Sequence, residues 1–512
     1  MSGHEPRHGS SGDADSDGPT TEELWDLVVE RTGLDRVEIL VDLSMRTENS
    51  DMGTALALAE EAVSEARAAL GDDHLVAALL HHGRLLVGER RFVESAATYL
   101  EAATLSSHGS DAVQTGHSYL MAGDALDLAD DIEGAVAALR TAESAFLCEE
   151  EWVGAGYAAQ RAGRALWVEA RHEEALEWLD RARPHFQRSG QAEQVLETDH
   201  LRASVLRDLQ RYDEAIAILT SCLAVSTTVR PQAAGSLEHF RLGRVYRSAR
   251  QFRLAIEHLT RAHAHAVSHS HIHDVGQCLR ELAMCHFYMD PADDTEALLL
   301  LAQARAHYDL SGCSDCVIEC DVERAEWLVI LDRFEEAAAI NRSLALASTP
   351  TIVDEARLRL ADNLLHLGRC AEALAELPGD EDPEHPRTDR VRELQLRASA
   401  LFGLNRREEA LVVAEKGLAL VDDTTDPAVR APLLAVRSEL RDDASSLNDR
   451  AQAIAYYLAA GEFDVAQQLS QAFMPAPRPE RSDPDHGSCA GPTSSALVPE
   501  TDSASDGAIR ES

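Results

Sequence analysis

The sequence contains a single lysine, Lys416, and only 5% of its residues are aromatic. It also lacks any run of about 18 apolar residues, the length that a membrane-spanning helix requires. Residues 1–19 have neither the cationic start nor the apolar core of a secretory signal. We therefore expect no membrane span and no export, and a cytoplasmic protein whose nine cysteines are reduced.

The motifs of common enzyme sites are missing as well. The sequence has no glycine-rich loop ending in Gly-Lys-Ser/Thr and no Gly-x-Ser-x-Gly elbow. The segment RHEEALEW (171–178) begins like a zinc-protease helix but has Leu176 where the second histidine belongs. GAGYAA (154–159) imitates a dinucleotide-binding loop, yet it lies within a helical pattern and follows no strand. We expect a non-enzymatic protein without a cofactor.

Positive charge is scarce, and almost all of it is arginine. The formal net charge is −42 at pH 7, and all but one of the 47 basic residues are arginines. A strongly acidic exterior opposes binding to nucleic acid and to anionic membranes. The preference for arginine indicates the codon usage of a GC-rich genome, such as an actinobacterial one. We expect no nucleic-acid partner and no membrane partner.

What the sequence does contain is a repeat of 40 residues in which small side chains recur at three sites. A glycine inside a helix costs about 0.5–1 kcal/mol relative to alanine, so a periodic glycine indicates a place where two helices must approach closely. One helix pair cannot bury its apolar face alone, whereas stacked pairs bury it together. The three sites are Gly83, Gly123, Gly163, Ala203 and Gly243; Ala55, Ser95, Ala135, Ala175, Ala215 and Ala255; and Ala62, Ala102, Ala142, Ala182, Cys222 and Ala262.

Four segments extend this pattern into a family resemblance: RHEEAL (171–176), RYDEAI (211–216), RFEEAA (333–338) and RREEAL (406–411). With the periodic Gly/Ala of the first helix, they make the sequence resemble the tetratricopeptide repeat (TPR) family. Its period of 40 exceeds the usual 34 and is similar to the long-helix variant of bacterial regulators and kinesin-light-chain-like proteins. HEAT and armadillo repeats also have periods of about 40, but they do not explain small residues at these sites. The resemblance implies an all-α, right-handed superhelical solenoid of antiparallel helix pairs.

The pattern divides the chain into five segments. Thr20 and Glu23 form a predicted capping box at the start of the ordered part. The Pro- and Asp-rich stretches that interrupt or follow the repeats predict a loop and tails. The segments are a disordered tail at 1–19, a solenoid of one cap helix and about eight pairs at 20–377, an acidic proline-rich loop at 378–389, further TPR-like helices at 390–474, and a disordered tail at 475–512.

In the family that this sequence resembles, the first helix of each pair lines the concave surface. On the corresponding stripe, arginines stand beside aromatic residues in the first half of the chain. Because a guanidinium pairs bidentately with carboxylates, this stripe predicts a groove that binds an acidic peptide segment. The alternative is that these are ordinary solvated charges in a protein whose common cation is arginine. The candidate residues are Arg84, Tyr157, Arg161, Arg164, Arg207, Phe240, Arg241, Arg244 and Arg247.

The later repeats place acidic side chains on the same stripe, at Glu319, Glu323, Glu326, Glu355 and Asp362. The lysine and asparagine pattern of the family's known peptide clamps is absent, so no clamp residue carries over. We expect a scaffold or adaptor that binds a protein or peptide segment in the groove. The alternative is a cytoplasmic regulator that closes around a peptide or a small ligand.

Two groups of side chains have the chemistry of metal ligands. Cys313, Cys316 and Cys320 have the spacing of a zinc site, and a histidine run covers residues 263–273. However, the repeat places Cys316 and Cys320 at small-residue positions, where cysteine acts as a small apolar side chain. Histidines without fixed neighbours make weak sites. We therefore expect no metal site.

Overall fold

The coordinates are a computed structural model, in which the described residues contain 24 α-helices and no strand. The chain divides into two compact units, Met1–Ser270 and His271–Ser512, and each is described by itself. The two predicted tails, apart from Pro19, and residues 378–386 of the predicted proline-rich loop lie outside the described residues. The structure describes residues 19–109, 111–229, 235–289, 294–346, 350–377, 387–421, 427–441, 444–459 and 463–471.

The first unit consists of one leading helix followed by six helix pairs in its described residues. Within each pair, a short turn reverses the chain, so the two helices are antiparallel. Its helices are α1 (Thr21–Glu30), α2 (Leu34–Thr47), α3 (Met52–Ala69), α4 (Asp72–Gly88), α5 (Phe92–Ser107), α6 (Ala112–Leu128), α7 (Ile132–Cys148), α8 (Trp152–Val168), α9 (His172–Arg188), α10 (Ala192–Asp208), α11 (Tyr212–Val229), α12 (Ser236–Ser248) and α13 (Phe252–Ser268).

The second unit continues with helix pairs and closes on a short helix. Its helices are α14 (Ile272–Met289), α15 (Asp294–Ser311), α16 (Ser314–Ile330), α17 (Phe334–Leu344), α18 (Pro350–His366), α19 (Cys370–Glu376), α20 (Arg387–Gly403), α21 (Arg407–Leu420), α22 (Pro427–Leu440), α23 (Ala444–Ala459) and α24 (Phe463–Gln471).

Within the described part of the chain, nine pairs run from α2 to α19, whereas the sequence predicted about eight. The pair α14–α15 is complete although the small-residue register is shifted there. Ala297, two positions late, is fully buried on α15. A shifted small residue therefore still provides the close approach that a helix pair needs.

The predicted crossing sites are confirmed, because each periodic glycine faces a large side chain of the second helix of its own pair. A Cβ added at Gly163 would lie 2.8 Å from Cγ of Leu179 and 3.1 Å from the carbonyl oxygen of Ala175. At Gly123 the Cβ would lie 2.5 Å from Cγ of Leu139. Neither distance leaves room for a side chain, so each of these two helix pairs requires glycine at its crossing.

The turn between the two helices has the same backbone conformation in five of the pairs, which the sequence did not predict. Arg90, Asp130, Ala170, Gln210 and Arg250 are left-handed, with φ between 57° and 64°. In each case the next residue donates its N–H to the carbonyl five positions back, at 2.8–2.9 Å. This is the Schellman arrangement, which satisfies the last carbonyls of the first helix. It turns the chain within three residues.

The first helix is capped as predicted. The Glu23 N–H donates to Oγ1 of Thr20 at 3.3 Å, and the Thr20 N–H donates to Oε2 of Glu23 at 2.7 Å. On the inner side of α1, Leu24 and Val28 are buried in the cluster that includes residues of α2. The helix α1 therefore covers the apolar face that the first pair would otherwise expose.

Candidate binding face of the first helices

All nine candidate residues lie in the unit Met1–Ser270, on the first helices α4, α8, α10 and α12. We call the surface that they form the first-helix face. The contacts of these residues divide the face into an upstream part on α4 and α8 and a downstream part on α10 and α12. The two parts differ in how the arginine charges are balanced.

On α8, the arginines are balanced by carboxylates of the preceding first helix. Arg161 forms an ion pair with Asp124 of α6, and Nη2 of Arg164 lies 3.8 Å from Oδ2 of Asp127. Burial lowers the pKa of Arg161, and the neighbouring Arg164 lowers it further. Burial raises the pKa of Asp127, which Arg164 opposes. These arginines bind the α8 repeat to the one before it.

On α4, Arg84 is part of a hydrogen-bonded chain that ends in the buried core. It forms an ion pair with Glu48, and its Nη2 lies 3.3 Å from Nδ1 of His81. Nε2 of His81 lies 2.8 Å from Oγ of Ser44, whose hydroxyl donates to the carbonyl of Ala55 at 2.7 Å. Since that hydroxyl proton is already used, Nε2 of His81 must be the donor. Arg84 therefore holds a neutral histidine in place.

The aromatic members of the face also have neighbours within the protein. The hydroxyl of Tyr157 accepts a hydrogen bond from Nε2 of Gln194 at 3.2 Å, and its ring meets Phe186 edge to face. Phe240 lies under Arg244, whose guanidinium carbon is 6.0 Å from the ring centre. Tyr157 therefore links α8 to α10 through its hydrogen bond, and the ring of Phe240 contacts Arg244 of the downstream part.

The downstream part contains a group of three arginines, Arg207, Arg241 and Arg244, which we call the arginine cluster. Together with Ser204 they line a cavity of about 10 Å³, which has room for roughly one water molecule. Nη1 of Arg241 donates to Oγ of Ser204 at 3.2 Å. Nη2 of Arg207 pairs with Oδ1 of Asp208 at 2.7 Å. The next turn of α12 adds Arg247, which is half-buried.

The arginine cluster is electrostatically strained. Burial lowers the pKa of Arg241, and the charges of Arg244 and Arg207 lower it further, against a smaller opposing effect of Glu238 and Glu197. Nε of Arg241 is buried and has no hydrogen-bond acceptor among the residues that the structure describes. A buried donor of this kind costs about 1–3 kcal/mol when it is unsatisfied. A carboxylate or phosphate oxygen at this place would relieve both the repulsion and the missing hydrogen bond.

A buried polar layer lies beneath the face and was not foreseen from the sequence. Nε2 of His200 and Oε1 of Glu238 are 3.1 Å apart, and both residues are 2% exposed. Nε2 of Gln160 donates to Oγ1 of Thr198 at 3.0 Å. These bonds join α8, α10 and α12 in sequence. The signal was available, because polar residues at core-facing positions of consecutive repeats need a partner.

In the unit His271–Ser512, the predicted acidic stripe is balanced by arginines that the sequence reading did not combine with it. Arg280 of α14 pairs with Glu319 and with Glu323 of α16, the latter at 2.9 Å between Nε and Oε2. The hydrogen bonds to Glu323 raise the pKa of Arg280. Because Arg280 of α14 pairs with Glu319 and Glu323, the stripe on α16 is not an open acidic surface.

The same balance continues on α18 and α20. Glu326 lies 3.1 Å from Arg359, which also lies 2.9 Å from Glu355. Burial acts to raise the pKa of Glu355, but Arg392 and Arg359 outweigh it and hold the pKa below its usual value. Burial also raises the pKa of Asp362. The acidic residues serve mainly as contacts between repeats.

The three cysteines with the spacing of a zinc site fall into two kinds. Cys320 is fully buried, as its small-residue position predicts, and burial raises the pKa of its thiol to about 12. Cys313 and Cys316 are half-buried and are joined as a disulfide, so the expectation that all cysteines are reduced is wrong for this pair. His273 lies beside this pair, with Nε2 3.6 Å from Sγ of Cys316.

The fold defined by these helix pairs is that of a TPR-like repeat protein. None of the helices in the described part of the chain has the length and apolar character needed to cross a bilayer. No family model matches the sequence, and no curated protein matches it.

Among the solved structures that are similar to this chain are three helical repeat proteins. The aspartyl phosphate phosphatase F of Bacillus subtilis is 13% identical, with a TM-score of 0.42, and the match covers 76% of this chain and 94% of the other. The apo quorum sensor NprR of B. thuringiensis is 13% identical, with a TM-score of 0.36 and coverage of 60% and 97%. BtubC (BKLC) of P. vanneervenii is 18% identical, with a TM-score of 0.38 and coverage of 43% and 93%. Likeness of this degree concerns the fold and extends to no ligand or partner.

Proposed function

We propose that this chain is a non-enzymatic, cytoplasmic adaptor that binds an acidic segment of a partner protein at the arginine cluster. The observation that carries the proposal is the buried Nε of Arg241, which has no acceptor and lies among two further guanidinium groups. Clusters of arginines are suited to carboxylates because each planar fork can donate two parallel hydrogen bonds. The helix pairs that make up the described residues support an interaction module rather than an enzyme.

The upstream arginines contribute less to this function than the sequence suggests. Arg84, Arg161 and Arg164 each have a carboxylate of a neighbouring repeat in contact. A partner carboxylate would have to compete with these intramolecular pairs. We therefore place the binding site on α10 and α12, and we assign a structural role to α4 and α8.

The test compares partner binding by the full chain and by the double variant Arg241→Gln/Arg244→Gln. Native cytosol is passed over each protein, captured proteins are identified by mass spectrometry, and the binding segment of each is mapped and titrated as a synthetic peptide. A charge-assisted hydrogen bond contributes about 1.5–3 kcal/mol, so losing two should weaken binding by roughly a hundredfold or more. Replacing the acidic residues of the peptide by amides should weaken it similarly.

The matched control is Arg253→Gln, on the exposed side of α13 in the same repeat. It removes the same charge outside the face and should leave the affinity unchanged. Arg181 and Arg183 of α9 are unsuitable as controls. Arg181 pairs with the buried Glu143, and Arg183 donates to Asp199 at 2.8 Å, so their loss would perturb the core.

Three outcomes would contradict the proposal: equal binding by the double variant and the wild type, equal loss in Arg253→Gln, or a partner segment that is basic. A small molecule that binds at the cluster and changes the shape of the protein would instead support the alternative, a ligand-sensing regulator.

A further inference from the structure

Three side chains with the chemistry of metal ligands meet where α14 and α16 begin. Cys313 is the residue before α16, Cys316 lies in its first turn, and His273 lies in the first turn of α14. Their ligand atoms all lie within 4.8 Å of one another. The cysteines and the histidine run are separate groups in the sequence, but the stacking of two repeats brings one member of the run to the cysteine pair.

The distance between the imidazole and the nearer sulfur fits zinc. In a tetrahedral site, Zn–S bonds of about 2.3 Å and Zn–N bonds of about 2.0–2.1 Å place the two ligand atoms roughly 3.5–3.6 Å apart. Nε2 of His273 and Sγ of Cys316 are 3.6 Å apart. The two sulfurs of such a site lie about 3.8 Å apart, so they must separate from the disulfide before both can bind the metal.

The surroundings of the histidine suit a ligand role. The ring of His273 meets that of Tyr308 of α15, with the centres 5.3 Å apart. Nδ1 of His273 is 4.0 Å from Oδ1 of Asp274, which is too far for a direct hydrogen bond. The imidazole is thus positioned by its contact with the Tyr308 ring.

We propose that Cys313, Cys316 and His273 bind one zinc ion when the cysteine pair is reduced. Two molecules of a thiol reductant supply two electrons and two protons to the disulfide and become a disulfide themselves. The resulting dithiol then loses two protons and binds Zn²⁺ as two thiolates, with the imidazole as the third ligand. Because all three side chains are half-buried, the fourth position is left open to solvent. Two thiolates and an imidazole form a ligand set that favours zinc over magnesium, calcium or manganese.

The experiment uses the full chain in two states. One sample is reduced with dithiothreitol, desalted without oxygen and given zinc, and the other is kept oxidised; both are dialysed before elemental analysis. We expect about one zinc ion per chain in the reduced sample and a small fraction of that in the oxidised one. Cobalt added to the reduced protein should give the sulfur-to-cobalt charge-transfer band and the visible bands of a tetrahedral site.

Variants decide whether these three residues are the ligands. Cys313→Ser and Cys316→Ser should each abolish the cobalt charge-transfer intensity that requires two thiolates, and His273→Ala should weaken zinc binding at least tenfold. Cys148→Ser, which removes an exposed thiol, and His271→Ala, which removes an exposed histidine, are the matched controls and should keep full binding. Circular dichroism checks that every variant retains its helices.

Two results would overturn the proposal. The first is a reduced wild-type protein with no more zinc than the Cys313→Ser/Cys316→Ser double variant, which would leave the pair as a disulfide without metal chemistry. The second is unchanged zinc affinity in His273→Ala, which would mean that the cysteines bind metal without the residue that the stacked repeats bring to them.

Discussion

The burial of His81 gives the protein a stability that depends on pH. Burial, followed by the charge of Arg84, lowers the pKa of His81 to about 4. An unfolded histidine has a pKa of about 6.5, so between pH 6.5 and 4 the unfolded chain binds a proton that the folded protein does not. The free energy of unfolding therefore falls as pH falls through this window, by on the order of 3 kcal/mol at pH 4.

The variant His81→Gln should remove this part of the pH dependence. The measurement is urea unfolding of wild type and variant at several values between pH 7 and pH 4. The difference between their unfolding free energies should shrink as the pH falls, because only the wild type loses stability through this side chain. The exposed His108→Gln should follow the wild type at every pH. A constant difference for His81→Gln would mean that the histidine is not held neutral.

At the residue scale, the sequence predicted on which first helices the candidate arginines lie but not what they contact. Arg161 and Arg164 were correctly placed on α8, yet Asp124 and Asp127 were not paired with them. The sequence pattern describes the stripe of each helix separately, whereas the ion pairs join one first helix to the next. Whether two such side chains meet depends on the stacking of the repeats, which the sequence of one helix does not contain.

At the scale of the helix pair, Gly163→Leu tests the crossing directly. The added Cβ would meet Leu179 and the backbone of Ala175 at distances that no relaxation of one side chain can relieve. Overpacking costs about 1–3 kcal/mol, and the loss should be confined to neighbouring repeats, because repeats couple mainly to their neighbours. We expect a broadened or two-step thermal transition, followed by circular dichroism.

Gly53→Leu provides the matched control. Gly53 is exposed in the first turn of α3, and a Cβ there would meet only Oδ1 of Asp51, at 3.5 Å. The same substitution should therefore change the melting temperature little. If Gly163→Leu melted like the wild type, the assignment of Gly163 to a helix crossing would be wrong.

The helix pairs were the most predictable part of the molecule. Glycine and alanine at Gly163 and Ala175 reveal a crossing because few other reasons put small residues at a fixed interval. The left-handed conformation of the turn residues was not predicted, because arginine and glutamine, as at Arg90 and Gln210, do not indicate a positive φ. Here the repeated backbone hydrogen bonds of the turn determine the positive φ, and the side chain does not favour it.

At the scale of the whole molecule, the unit Met1–Ser270 should fold by itself. Its hydrophobic clusters, from Leu24 on α1 to Val245 on α12, are formed within the unit. A fragment of residues 1–270 should show helical circular dichroism and cooperative unfolding in urea. A fragment of residues 1–250, which lacks α13 and leaves Gly243 without the facing Leu259, should be less stable. Unfolded behaviour of the longer fragment would contradict the division of the chain.

The grouping of His273 with Cys313 and Cys316 is a feature of the folded chain that the sequence did not predict. The cysteine pair and the histidine are 40 or more residues apart, and neither group alone justified a metal site. Only the stacking of α14 against α16 makes them neighbours. The proposal therefore depends on tertiary structure and opposes the expectation from the sequence that no metal is bound.

The ion pairs between first helices also determine the order in which the repeats can be arranged. The first helices α8 and α16 are both 17 residues long, so helix length alone does not decide which one follows a given repeat. Their charges differ: α8 offers Arg161 to Asp124, whereas α16 would bring Glu323 to the same place. Exchanging these two repeats would set carboxylate against carboxylate. The arginines and acids thus give each repeat a specific neighbour, and a chain shuffled at its turns would be expected to lose stability although every hydrophobic contact was conserved.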